Sequence, residues 1–215
     1  MSIINRESFA DQIYEDLKRD IISHRIGFNQ KLTNRELQEK YGVSSTPVRD
    51  AINRLYLDGF VVEINKSGAK TIGFDRKFAL ELNEIVSVLS DDALRMSAAK
   101  SDIFDVGKML EANIRQHDQH LYDDAFFTCD DEFHLIFFKA CKNDAFVQLY
   151  EKYSVLRHIL VRYSLEQDKK ERELGLEQHK MIYQAYVKGN INLACERMHD
   201  HYRRAMVFIQ KGFKD

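Results

Sequence analysis

Asp130 and His134 stand four residues apart in the stretch DDEFHLIFFKACKND, so a helix through them projects a carboxylate and an imidazole from one face. Phe126, Phe127, Phe133, Phe137 and Phe138 crowd the same stretch, which puts both polar groups on or beside an apolar surface. Burying them unpaired is unfavourable, so a polar partner or a metal ion is implied. Two more imidazoles share that setting. His179 leads an apolar set continued by Ile182 and Tyr186, and His201 lies in register with Ala194, Met198, Ala205 and Phe208. One carboxylate and three imidazoles from three helices suit a first-row divalent ion such as zinc, nickel or manganese. Spacing leaves a plainer alternative open: a histidine on an apolar face is also explained as a hydrogen-bonded core residue.

The elements that position these groups are helical. From Asp75 to Asp215 there is no proline and there are four glycines, Gly107, Gly175, Gly189 and Gly212. The periodicity predicts helices over 75–99, 102–118, 123–141, 144–165, 169–188 and 190–211, with Phe78, Leu82, Ile85, Leu89, Ala93 and Met96 as the stripe of the first. Six amphipathic helices imply an antiparallel bundle able to hold a ligand between them. Tyr150, Tyr153, Tyr163, Tyr183, Tyr186 and Tyr202 are candidates to line such a cavity. The run KKERE at 169–173 reads as a solvated helix start, and Arg157 and Arg162 as surface groups, with Arg157 kept as a candidate effector contact.

The front of the chain follows different rules. Residues 6–24 place Phe9, Ile13, Leu17 and Ile21 at helical spacing, with Gly27 and Asn29 ending the helix. Thr33 and Glu36 form a capping-box pattern for a short helix from Asn34 to about Lys40, which Tyr41-Gly42 stops. Ser44, Ser45 and Thr46 offer hydroxyl caps to a second helix, and Pro47, the only proline, fits its first turn. Leu37, Val43, Val48, Ile52, Leu55 and Tyr56 are candidates for one core, with Arg35, Arg49 and Arg54 left polar. Two short helices about a glycine turn are a helix-turn-helix, the second helix being the reader of a DNA major groove. Phe60–Ile64, the turn Asn65-Lys66-Ser67-Gly68 and Ala69–Gly73 then read as a β-hairpin whose tip can approach phosphates.

Composition sets bounds. A chain of 215 residues with 44% hydrophobic and 31% charged residues is an ordinary globular protein of one or two domains. No apolar run is long enough to span a membrane, and MSIINRESFADQ has no signal-peptide pattern, so a cytoplasmic location is expected. Cys129, Cys141 and Cys195 show no CxxC spacing and read as reduced, buried side chains. The net charge is −2, with 11 basic and 10 acidic residues up to Gly73 and 21 and 24 after it. DNA affinity must therefore come from a local basic face around Arg35, Arg49, Arg54, Lys66 and Lys70, doubled in a dimer.

LTNRELQEKYGVSSTPVRDAINRLYLDGFV followed by INKSGAKT resembles the winged helix of the GntR family of bacterial transcription regulators over residues 8–73. DDEFHLIFFKACKND and EQHKMIYQAYVKGNINLACERMHDHYRRA are similar to the FCD effector domain of the family's FadR-like branch. The resemblance implies a mostly α protein: a winged helix-turn-helix over 1–73 and an all-α, FCD-like effector-binding and dimerisation domain over 74–215. It also implies a metal site of Asp130, His134, His179 and His201, with His201 favoured over His199 by its register with Met198. Zinc comes first, with nickel, manganese and iron as alternatives. Implied DNA contacts are Arg35, Ser44, Ser45, Thr46, Arg49, Lys66 and Gly68. Ser45 stands where the family usually has arginine, and Val86 and Ser90 stand where many relatives carry arginine and glutamate. The expected function is a homodimeric regulator, a repressor by family habit, that binds a palindromic operator and senses a carboxylate-bearing metabolite at the metal. Two rivals are a helical metalloenzyme using the Asp/His3 centre and a structural dimer whose histidines bind no metal.

Overall fold

The structure, a computed structural model, describes residues 8–23, 25–165 and 168–212. These fall into two compact units, one ending at Phe74 and one beginning at Asp75.

In the first unit α1 (Phe9–Ile22) starts at Ser8, whose hydroxyl accepts the Asp11 N–H while the Asp11 carboxylate accepts the Ser8 N–H. This full capping box satisfies two donors that a helix start otherwise leaves open. Its buried face is Ile13, Tyr14, Leu17 and Ile21; Phe9 is exposed and drops out of the expected stripe. The helix ends at Ile22, not near Gly27 and Asn29; beyond it the Ile26 N–H reaches back six residues to the Asp20 carbonyl at 3.0 Å in place of a helical bond. Residues 6, 7 and 24 of the expected span lie outside the described residues. Next come β1 (Lys31–Thr33), α2 (Asn34–Tyr41), α3 (Ser45–Leu57), β2 (Val61–Asn65) and β3 (Gly68–Thr71). Gly42, at φ 64°, ends α2 in the left-handed conformation that glycine adopts without strain. Val48, Ala51, Ile52 and Leu55 of α3 pack against α1, whereas Tyr56 is half-exposed and leaves the expected core.

Strand β1 was not expected. The sheet order is β1-β3-β2, all antiparallel, with Leu32 opposite Ala69 and Thr33 opposite Gly68. Thr33 therefore ends a strand as well as capping α2. Its hydroxyl takes the Glu36 N–H at 3.2 Å and donates to the Glu36 carboxylate at 2.6 Å, which is half of the capping box expected there. The wing tip is anchored to the same corner: the Asn34 N–H donates to the Ser67 carbonyl at 2.9 Å.

Gly68 is buried in this junction, which corrects its expected place on the exposed tip. Its φ is +155°, and a Cβ there would lie 1.9 Å from the Leu32 carbonyl oxygen. Only glycine lets β1 close on β3. Gly68→Ala should destabilise this unit by roughly 3 kcal/mol from strain and overpacking. An unchanged urea midpoint would contradict that.

The second unit consists of α4 (Arg76–Lys100), α5 (Ile103–Gln119), α6 (Ala125–Ala140), α7 (Asp144–Leu165), α8 (Lys169–Val187) and α9 (Ile191–Gly212). Each lies within two residues of the bounds that periodicity sets. Asp75, Asp102 and Asp168 cap α4, α5 and α8 by accepting the N–H groups of Phe78, Phe104 and Glu171 at 2.7, 2.7 and 3.0 Å. Helix α4 packs on α6, α7 and α9, and α8 packs on α5 and α9. The buried stripe of α4 runs through Leu82, Leu89 and Ala93 as expected, but Ile85 faces outward, and Val86, Asn83, Ser87, Ser90 and Ser97, outside the expected stripe, are buried. The three cysteines are free and buried. Among the described residues no helix is long and apolar enough to cross a membrane.

Candidate metal centre and DNA-contacting surface

Helix α6 presents Asp130 and His134 one turn apart, α8 brings His179 and α9 brings His201. One donor atom from each lies within 4.8 Å of all the others, and all four residues are buried. His179 Nε2 stands 3.6 Å from Asp130 Oδ1, and Phe133 stacks on the His179 ring at 3.9 Å between centroids.

Hydrogen bonds to the outer ring nitrogens aim two imidazoles at this point. The Tyr202 hydroxyl is 3.1 Å from His134 Nδ1 and is itself 2.8 Å from Ser90 Oγ. Gln178 Oε1, which can only accept, takes the His201 Nδ1–H at 3.2 Å and leaves the lone pair on Nε2. His134 Nε2 and both nitrogens of His179 are buried with no hydrogen-bond partner. Orphaned buried nitrogens converging on a carboxylate are unfavourable alone and fit a divalent ion with bonds of about 2.0–2.2 Å after small side-chain rotations. The four residues can hold a metal.

Arg157 is the correction with most consequence. It is not a surface group: it is buried, with Nη2 2.6 Å from Asp130 Oδ2 and Nη1 2.7 Å from Asp131 Oδ1. Arg162 is likewise buried and donates to Asp124 at 2.9 Å. The KKERE start is only partly solvated, because Arg172 turns inward to the carbonyls of Leu165 and Asp123. His117, at the end of α5, was missed. It is fully buried with neither ring nitrogen partnered, 5.4 Å from the His179 ring. The signal was present, since Leu110, Ile114 and His117 keep helical spacing on one face. Cys195 is not in the cluster; burial and an Asp91 hydrogen bond push its thiol up to about 12.

Charge states suit metal ligation. Burial works against the Asp130 carboxylate, but Arg157 and the surrounding imidazoles outweigh it and hold the acid well below the ordinary range. Burial is the leading cause that pushes His134 and His179 well down, His117 down and His201 down to about 4, and the Arg157 charge adds to it at His134. All four rings are neutral in the folded chain at pH 7, whereas the unfolded chain takes up protons on them below about 6.5. The unfolded state therefore binds more protons between about pH 6.5 and 4, and metal-free stability falls on acidification across that window. For His201 alone the loss is roughly 3 kcal/mol. Urea midpoints of chelator-treated protein at neutral and acidic pH measure this; equal midpoints would refute it.

Beside the cluster lies an open cavity between α4, α6, α7, α8 and α9. Asp130, Arg157, His201 and Tyr202 form part of its wall. Of the six tyrosines proposed to line a cavity, only Tyr202 does; Tyr150 instead stacks on Phe138 at 3.8 Å, and Tyr163 is half-exposed.

In the first unit, Ser44, Thr46 and Arg49 are exposed on the first turns of α3, with Ser45 half-buried among them. Ser44 is the N-cap residue by backbone, but its hydroxyl makes no cap hydrogen bond, so the expected side-chain cap is corrected and the hydroxyl remains available. Among the described residues Arg49 forms no ion pair. Arg35 is exposed and paired with Glu39 at 2.9 Å, and Lys66 is exposed at the wing tip. Arg54 leaves the expected basic face: it binds Asp11 and stacks over Tyr14. Lys31, opposite Lys70 across the unexpected strand pair, adds a cation that the sequence pattern did not single out.

Residues 9–70 match the gntR family of bacterial regulatory proteins, and residues 81–204 match the FCD domain. The chain belongs to the gntR family, in its FCD-containing branch. It is a DNA-binding transcription regulator, as are the relatives it matches, and not an enzyme of the helical metalloprotein kind. The Uxu operon regulator of Haemophilus influenzae is 26% identical over 94% of this chain and 84% of its own length. The Nta operon transcriptional regulator of Aminobacter aminovorans is 22% identical over 89% and 87%. The solved structure of E. coli McbR/YncC has the same fold, with a TM-score of 0.74 at 17% identity, covering 97% of this chain and 100% of that one. In this gntR-family regulator Val86 is buried in the cavity wall and Ser90 supports Tyr202, so neither departure leaves a charge at those positions.

Proposed function

We propose that this regulator is a homodimeric repressor that senses an organic acid at a metal-containing pocket. The observation that carries the reading is the set of orphaned, buried imidazole nitrogens around Asp130, beside a cavity in a chain that also carries a DNA-reading helix. Asp130, His134, His179 and His201 hold the ion, with zinc first among candidates and nickel, manganese and iron behind it. Bound there, the ion supplies a Lewis-acidic positive centre for an anionic ligand. Arg157, paired with Asp130 and Asp131, lines the same end of the cavity and fixes the Asp130 carboxylate. Arg49 is the base-reading residue, Arg35, Ser44, Ser45 and Thr46 contact the backbone or flanking bases, and Lys66 reaches from the wing. Two-fold symmetry of the dimer demands a palindromic operator. An effector that binds the two dimer arrangements unequally shifts their populations and so the operator affinity.

The test is a titration of the zinc-loaded full chain against the duplex upstream of its own gene and a scrambled duplex at equal salt. Two chains per native duplex, a preference over the scrambled one, and a response to small carboxylates that vanishes with chelator are expected. Equal binding to both duplexes refutes the regulator reading, and a carboxylate response indifferent to chelator refutes the metal pocket.

A further inference from the structure

We infer that the effector is an amphipathic monocarboxylate, with its acid group at the Asp130–His201 end and a hydrocarbon body lying along the cavity. This rests on the carboxylate reading of the cluster and adds what the rest of the ligand must be. Three helices define the direction of the cavity. Lining residues step from Arg157 to Leu165 on α7, from Gln178 to Glu171 on α8 and from His201 to Phe208 on α9. At 1.5 Å per residue each path is about 11 Å long. The cavity is thus a slot leading away from the cluster rather than a pocket around it.

The walls of the slot are apolar. Leu82, Val86, Leu160, Val161, Leu165 and Phe208 line it. Most of the polar groups that border it are engaged. Asn83 gives its amide N–H to the Tyr202 carbonyl at 3.0 Å, and Gln178 accepts from His201. Ser164 Oγ, buried without a partner, the Gln178 amide N–H groups and Asn83 Oδ1 are the few polar groups left for a ligand. A sugar acid would bring several hydroxyls against walls that are mostly hydrocarbon, and unpaired buried hydroxyls are strongly disfavoured. At the far end Arg204 places Nε and Nη2 at 3.0 and 2.7 Å from the same Glu171 oxygen, so its charge is already neutralised. Among the described residues, the cation that lines this end is already paired. One acid group and an apolar body satisfy the whole slot.

Calorimetric titration of the zinc-loaded full chain with acetate, butanoate, hexanoate, octanoate, octanedioate and glucuronate tests this. Each added methylene should raise affinity about fourfold until the slot is full, so octanoate should bind about fifteen-fold tighter than hexanoate. Octanedioate and glucuronate should bind more weakly than octanoate. Val161→Asn, at a half-buried wall position, should weaken octanoate several-fold and leave acetate unchanged. A flat chain-length series, tighter glucuronate or octanedioate, or octanoate binding indifferent to Val161→Asn overturns the inference. If acetate and glucuronate bind while octanoate does not, the apolar body is wrong and the carboxylate site stands. If no acid binds, the carboxylate reading itself falls.

Discussion

Arg49→Ala should weaken binding to the duplex upstream of this regulator's own gene by about 5- to 150-fold, the worth of one bidentate base contact. The basis is local. Arg49 sits one turn into α3, exposed and without an ion pair among the described residues, while Arg35 is held by Glu39 and Arg54 by Asp11. An unpaired guanidinium gives up no internal partner on meeting a guanine edge. Loss of a base contact must also relax sequence preference, so binding to scrambled DNA should fall much less. Lys66→Ala is the contrasting case: it should weaken both duplexes alike and lower the salt dependence by about one counterion. Fluorescence anisotropy at two salt concentrations separates the two outcomes. If Arg49→Ala and the unaltered chain bind native duplex equally well, α3 does not read bases through this residue.

Metal removal should have the largest effect on stability. A ligand that binds only the folded state at a thousand times its dissociation constant adds about 4 kcal/mol, which for a unit of this size moves the melting temperature by roughly 10 °C. Chelator-treated protein should therefore melt at a distinctly lower temperature than zinc-loaded protein, and elemental analysis should give one zinc per chain. His179→Ala removes the ring that lies closest to the Asp130 carboxylate and stacks on Phe133. That variant should retain almost no zinc and show no zinc-dependent shift. His199→Ala, two residues before α9's cluster residue and outside the set, should keep both. A His179→Ala protein that still binds one equivalent and still gains on loading would show that the imidazoles are core residues and the ion lies elsewhere.

Much of this protein was legible in its sequence because its elements rest on local signals. Gly42 and the Thr33 cap bound α2, and uninterrupted 3.6-residue periodicity places the helices of the bundle within one or two residues. The four cluster residues were legible too, since each sits on an apolar helix face where a polar group needs a reason. What tertiary structure decided was everything that depends on a distant partner. Three residues, Lys31–Thr33, form a strand only because β3 lies alongside, and Gly68 is buried by that pairing. Arginines look alike in a sequence, yet Arg157, Arg162 and Arg172 turn inward because Asp130, Asp131, Asp124 and the Leu165 and Asp123 carbonyls lie there, while Arg49 stays outside. Periodicity assigns a side chain to a face of its helix. Whether that face meets water, a carboxylate or another imidazole is settled only when the helices pack.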